Sequence, residues 1–123
     1  EVLRIEPPAH GLYRTTTQDV EVGGVLIPAD AQVCILYASA NDDDAVFSNP
    51  REFDDTRVNA GRSMTFGVGI HRCAGSNLAR MELRVAIEEW LARIPEFRLA
   101  DGGEVVWSGG QVRGPRVLPV VFP

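Results

Sequence analysis

Phe66-Gly67-Val68-Gly69-Ile70-His71-Arg72-Cys73-Ala74-Gly75 places one cysteine where a glycine-punctuated loop runs into the start of a helix. Unpaired backbone N–H groups and the positive end of the helix dipole both favour a negatively charged sulfur there. Gly67 and Gly69 let the backbone approach a flat ligand where side chains would collide, and Arg72 adds positive charge. Other chemistries fit these residues less well. A dinucleotide fingerprint needs glycine where Arg72 stands, and a phosphate loop needs Lys followed by Ser or Thr. A zinc quartet is excluded, because the chain has only Cys34 and Cys73 as thiols and His10 and His71 as imidazoles, and Cys34 sits in an apolar run that reads as core. A cysteine nucleophile with a histidine base stays open, although His71 lies only two residues from Cys73 on a tight loop.

Downstream, Leu78 to Ile94 reads as a helix that is apolar nearly all round, with Arg80, Arg84 and Glu88 stacked four residues apart on a narrow wet face. Such a helix is normally buried inside a larger body. Pro95 ends it, and Phe97–Leu99, Val105–Trp107 and Val117–Phe122 read as short strands between glycine turns. Upstream, Asn41 to Asn59 has no period and is broken by Asp42-Asp43-Asp44, Asn49-Pro50 and Asp54-Asp55, so a long meander is expected. Gln32 to Ala40 suits a strand running into a helical turn, and Val20 to Ile27 is a hairpin around Gly23-Gly24. Glu1-Val2-Leu3-Arg4 reads as the last turn of a helix, stopped by Pro7-Pro8.

The 123 residues, 45% of them apolar, match one ordinary domain and exclude a disordered chain. A net charge of −5 argues against a general nucleic-acid binder. No run is long enough to span a membrane, and two cysteines without a disulfide framework suit a reducing cytoplasm. The average charge conceals a gradient. Asn41 to Asp55 holds six acids and one Arg, whereas Thr56 to Arg84 holds five Arg and one acid, Glu82.

The spacing of Phe66, Gly67, Gly69, His71, Cys73 and Gly75 resembles the haem-binding signature of the cytochrome P450 family, the haem-thiolate monooxygenases, in its soluble bacterial members. The likeness continues along the chain. Glu1-Val2-Leu3-Arg4 resembles the family's Glu-x-x-Arg pair, and the Gly-Gly hairpin, the Asn49-Pro50 to Phe53 to Arg57 spacing and Leu118-Pro119-Val120 follow in the family's order. The resemblance implies a mixed α+β chain: residues 1–123 as the C-terminal part of a single larger, mostly helical haem-binding domain. Its parts would be a helix end at 1–4, a meander at 41–65, the haem loop at 66–75, a long buried helix at 76–94 and strands at 97–123.

It also implies roles. Cys73 would be the axial ligand of the iron of haem b, its thiolate favouring O–O cleavage. Phe66, Gly67 and Gly69 would line the proximal side of the porphyrin, and His71, Arg14 and Ser63 stand at propionate positions, Ser63 where a histidine is common. Asn41-Asp42-Asp43 replaces the family's Asn-Arg-Asp. Glu1, Arg4 and Arg57 would form a structural ion network. Ala9, His10, Leu12, Gln111 and Val112 would reach a small organic substrate. The parent enzyme would insert one oxygen atom from O2 into that substrate with NAD(P)H electrons, delivered by a ferredoxin or flavodoxin drawn to the basic segment. The oxygen-activating helix lies outside these residues. A stand-alone haem-binding or interaction module without catalysis is the alternative.

Overall fold

The computed structural model describes residues 1–123, which divide into two compact units, 1–65 and 66–123. The first unit opens with a short helix α1 (Val2–Ile5), followed by strands β1 (Leu12–Thr15), β2 (Val20–Val22), β3 (Val25–Ile27) and β4 (Gln32–Ile35) and helix α2 (Tyr37–Asn41). Pairing is antiparallel and nested. The β2–β3 hairpin sits inside the longer β1–β4 ribbon, whose register runs from Leu12 opposite Ile35 to Thr15 opposite Gln32. Gly23 and Gly24 take φ of 58° and 77°, the pair of positive values that a two-residue turn demands. Below the hairpin the Thr16 hydroxyl donates to the Pro28 carbonyl at 2.6 Å and accepts from the Ala31 N–H at 3.0 Å.

Each sheet is only two strands wide, the β1–β4 ribbon is mostly exposed, and Cys34 on β4 is exposed rather than core. The buried centre of this unit lies elsewhere. Tyr37 and Phe47 are its buried apolar side chains, and Arg4 and Asn41 are as deeply buried as Phe47. The Arg4 guanidinium lies over the Phe47 ring, 4.9 Å from its centroid.

A salt-bridge network takes the place of a larger apolar core. The Glu1 carboxylate accepts from Arg4 Nη2 at 2.7 Å, Arg4 Nε at 2.9 Å and Arg57 Nε at 2.9 Å, and the three side chains are at most 5% exposed. Arg4 also donates to the carbonyls of Asn41 and Pro50, and Arg57 to those of Ser48, Asn49 and Glu52. The meander therefore has an anchor without belonging to any ladder. Turns within it are closed by short-range side-chain bonds, such as the Asp54 carboxylate accepting from the Thr56 N–H and hydroxyl.

The second unit contains helix α3 (Ser76–Arg93) and strands β5 (Arg98–Leu99), β6 (Val106–Ser108), β7 (Gly114–Val117) and β8 (Val120–Val121), paired β5–β8 and β6–β7. Pro119 interrupts what reads in sequence as one strand from 117 to 122, and its carbonyl instead accepts from the Ala100 N–H at 3.0 Å. Helix α3 starts after Gly75, runs to Arg93 and closes with the Ile94 N–H on the Trp90 carbonyl at 2.7 Å. Its side chains find little cover. Leu78, Met81, Leu83, Val85, Ile87, Trp90 and Leu91 are each at least 40% exposed, so the burial expected of an all-round apolar helix is not supplied within these 123 residues. One aromatic contact, Trp90 edge-on to Phe97 at 5.7 Å, ties its end to β5.

Two outcomes are expected of the 123-residue chain in solution. The exposed apolar surface of α3 makes it self-associate and bind a hydrophobic dye, whereas a monomer with a cooperative, dye-free unfolding transition would contradict that reading. The second concerns acid. Hydrogen bonds from Arg4, then from Arg57, lower the Glu1 pKa from 4.5 to about 2. A depressed carboxylate stabilises the fold fully above its unfolded value and loses that contribution as pH falls from about 4.5 towards 2. Glu1→Gln should flatten the pH dependence of the unfolding midpoint in that window and cost about 3–5 kcal/mol at neutral pH, since it leaves two buried cations without a counter-charge. Equal acid sensitivity in both proteins would show that Glu1 is not the group responsible.

Candidate functional site

The Cys73 loop is built by backbone geometry. Gly67 and Gly69 adopt φ of 66° and 63°, a region that other residues enter only with strain. They turn the chain into a single 3-10 turn over Gly69–His71, after which the Arg72 N–H returns to the Gly69 carbonyl at 3.1 Å. The loop closes when the Cys73 N–H donates to the Phe66 carbonyl at 2.8 Å, and the helix side is joined when the Ser76 N–H donates to the Cys73 carbonyl at 3.2 Å. Nothing lies within 4 Å of where a Cβ on Gly69 would stand, whereas one on Gly75 would come 3.9 Å from the Cys73 sulfur. Cys73 is exposed and carries a free thiol. Phe66 is half-buried, and the guanidinium of Arg80, one turn into α3, covers its ring at 4.7 Å.

His71 is exposed at the end of the 3-10 turn, in the same unit as Phe66, Gly67, Gly69 and Cys73. Gln111 and Val112 occupy the exposed loop between β6 and β7, which the Ser108 hydroxyl pins by accepting from the Gly114 N–H at 3.1 Å and donating to the Gly114 carbonyl at 3.0 Å. Arg113, beside them, stacks on Trp107 at 4.1 Å. The other named residues belong to the first unit. Arg14 is half-buried on β1 and donates to the Tyr13 carbonyl at 2.8 Å. Ala9, His10 and Leu12 lead into β1, with the His10 carbonyl accepting from the Ala38 N–H at 3.1 Å. Ser63 is half-buried just after the Ala60–Arg62 turn.

Three residues outside the sequence-based set make contacts within these units. Arg80 was legible only as part of a charged stripe, and its place over Phe66 follows from the register of α3 against the loop. Asn41 and Thr65 are buried polar side chains bonded to each other, with Asn41 Nδ2 donating to Thr65 Oγ1 at 3.0 Å. The signals available for them were the asparagine of Asn41-Asp42-Asp43 and a threonine directly before Phe66.

The donor set can be tested against candidate metals. No group of three or more His, Cys, Asp or Glu side chains comes together, so the chain offers no cage for a bare ion. Haem brings four nitrogen donors of its own and needs from a protein one axial ligand, close backbone approach and cations for its carboxylates. A lone exposed thiol behind two positive-φ glycines fits that demand. No helix is long and apolar enough to cross a membrane.

Known proteins resemble the chain over nearly all of its length. The profile of the Cytochrome P450 family matches residues 1–101. Cytochrome P450 130 of Mycobacterium tuberculosis is 46% identical over 97% of this chain and 29% of its own length, and the erythromycin C-12 hydroxylase of Saccharopolyspora erythraea is 43% identical over 98% and 31%. Among solved structures, the haem domain of CYP116B5 from Acinetobacter radioresistens superimposes with a TM-score of 0.93 at 35% identity, covering 98% of this chain and 29% of that one. The chain thus spans about a third of the length of the relatives it matches. With the family profile over most of its residues and this fold in common, the chain belongs to the cytochrome P450 family.

Proposed function

We propose that this chain is the C-terminal part of a haem-thiolate monooxygenase, and that Cys73 holds the iron of haem b. The observation that carries the reading is the exposed Cys73 thiol at the closed end of a loop shaped by Gly67 and Gly69, in a chain of this family. Bound haem supplies the redox-active iron at which O2 is activated for insertion of one oxygen atom into an organic substrate. The chain's own residues hold and orient. Cys73 provides the thiolate, and the Cys73 N–H bond to the Phe66 carbonyl sets the loop that presents it. Phe66, Gly67 and Gly69 give a face on which a flat macrocycle can lie. Arg14 and His71, with Ser63, are assigned to its carboxylates, where charge-assisted bonds are strong. Ala9, His10, Leu12, Gln111 and Val112 are assigned to the substrate. Relatives carry names as different as erythromycin C-12 hydroxylase and steroid C26-monooxygenase, so the class is kept at small organic molecules.

Electrons are assigned to NAD(P)H through a ferredoxin or flavodoxin. Exposed Arg72 and Arg80 on the segment that carries Cys73 favour an acidic donor by electrostatic steering. Arg84 contributes less, because Glu88 pairs with it at 2.7 Å.

Reconstituted with haem, the protein should give the red-shifted Soret band of a thiolate-ligated ferrous carbonyl complex, and Cys73→Ala should abolish it; an unchanged band in the variant would sink the assignment. For the donor, Arg80→Glu should slow reduction by an acidic ferredoxin about tenfold at low ionic strength, with the difference vanishing at high salt, while Arg80→Lys retains the rate. Equal rates for all three proteins would remove Arg80 from the docking surface.

A further inference from the structure

Residues 63–65 belong to no strand, yet they lead straight into the Cys73 loop. Their position is held by Asn41, which closes α2 and is 1% exposed. Asn41 Oδ1 accepts from the Met64 N–H at 2.6 Å, while Nδ2 donates to the Arg4 carbonyl at 3.1 Å and to Thr65 Oγ1 at 3.0 Å. The Thr65 hydroxyl in turn donates to the Leu3 carbonyl at 2.6 Å. Every direction in this relay is forced. An amide nitrogen only donates, so Thr65 Oγ1 must accept from it and has one proton left for Leu3. Both amide hydrogens and both roles of the hydroxyl are thereby used, and no buried side-chain polar atom is left without a partner. One side-chain amide acts as a substitute strand that joins α1, the end of α2 and residues 63–65.

Thr65 is linked by a single peptide bond to Phe66, whose carbonyl receives the Cys73 N–H. We propose that Asn41 and Thr65 are positioning residues for the Cys73 thiolate: their relay sets the register in which the chain enters the loop. The proposal rests on the reading of Cys73 as axial ligand. Its physical basis is the cost of error. With Thr65 only 9% exposed, a missing hydroxyl leaves one of the two Asn41 Nδ2 hydrogens and the Leu3 carbonyl unpartnered where water has little access, and a shift of residues 63–65 becomes the cheapest relief.

The test uses the haem-loaded protein expressed from its whole reading frame, in wild-type, Thr65→Val, Thr65→Ser and Asn41→Asp forms. The readout is the ratio of the red-shifted to the unshifted Soret band of the ferrous carbonyl complex at equal haem content, with the thermal midpoint measured alongside. Thr65→Val keeps the shape and should lower the ratio about tenfold, while Thr65→Ser keeps the hydroxyl and should stay within about twofold of wild type. Asn41→Asp keeps the outline, removes both amide donors and should lower the ratio likewise. A merely structural role would lower the midpoint and leave the ratio of the folded protein alone. A wild-type ratio in Thr65→Val or in Asn41→Asp, or a Thr65→Ser ratio as low as that of Thr65→Val, overturns the proposal. A wild-type protein without the red-shifted band, or a Cys73→Ala variant that keeps it, overturns instead the axial-ligand reading.

Discussion

A single carboxylate shared by two buried guanidinium groups is what the first 65 residues depend on. Glu1 neutralises one of the two charges of Arg4 and Arg57, and the excess positive charge is met by backbone carbonyls: Asn41 and Pro50 around Arg4, Ser48, Asn49 and Glu52 around Arg57. Buried ion pairs are costly when poorly solvated, and this one is tolerated because the carbonyls supply the dipoles that water would have supplied. The arrangement answers a specific difficulty. A meander has carbonyls with no ladder to pair them, and a buried carbonyl left unpaired is expensive. Guanidinium groups offer five donors each in a rigid fork, so two of them can close many such gaps at once, which lysine could not do.

The second unit is organised on a different principle. Its helix α3 has two i,i+4 ion pairs on its surface, Arg84 with Glu88 and Glu89 with Arg93, which add only a few tenths of a kcal/mol each. The apolar side chains that would supply most of the stabilisation are exposed. A unit of this composition does not bury these side chains by itself, and the relatives are about three times the length of this chain.

Secondary structure was legible wherever one local rule dominated. Gly23-Gly24 specified the hairpin, Pro95 the end of α3, and the spacing of Phe66, the glycines and Cys73 the loop. Legibility failed where tertiary context decided. Cys34 looks like core because it lies among Val33, Ile35 and Leu36, but the two-stranded ribbon that carries it is mostly exposed. Residues 117–122 read as one strand, and Pro119, which has no N–H to give, divides them into β7 and β8. Of the candidate site, the ion network was expected from the family resemblance, and the glycine-shaped loop from the residues themselves. The Asn41–Thr65 bond could not be read in either way, because its partners are 24 residues apart and nothing in the Asn41-Asp42-Asp43 motif points to Thr65.

The loop and its support differ in what they demand of sequence, and this explains the difference in legibility. Within residues 66–75 the shape is made by backbone bonds and by two positive-φ glycines, so the permitted residues are few and the pattern is conspicuous. The supporting network uses side chains to hold backbone carbonyls and one N–H, and the identity of the carbonyl's own residue is immaterial. Leu3, Asn41, Ser48 and Pro50 all accept through the main chain. Apart from Glu1, only the residues that donate are therefore constrained, and they are scattered over Arg4, Asn41, Arg57 and Thr65. Cys73 lies where backbone bonds make the shape, and residues 63–65 before it are held by side chains where no ladder reaches.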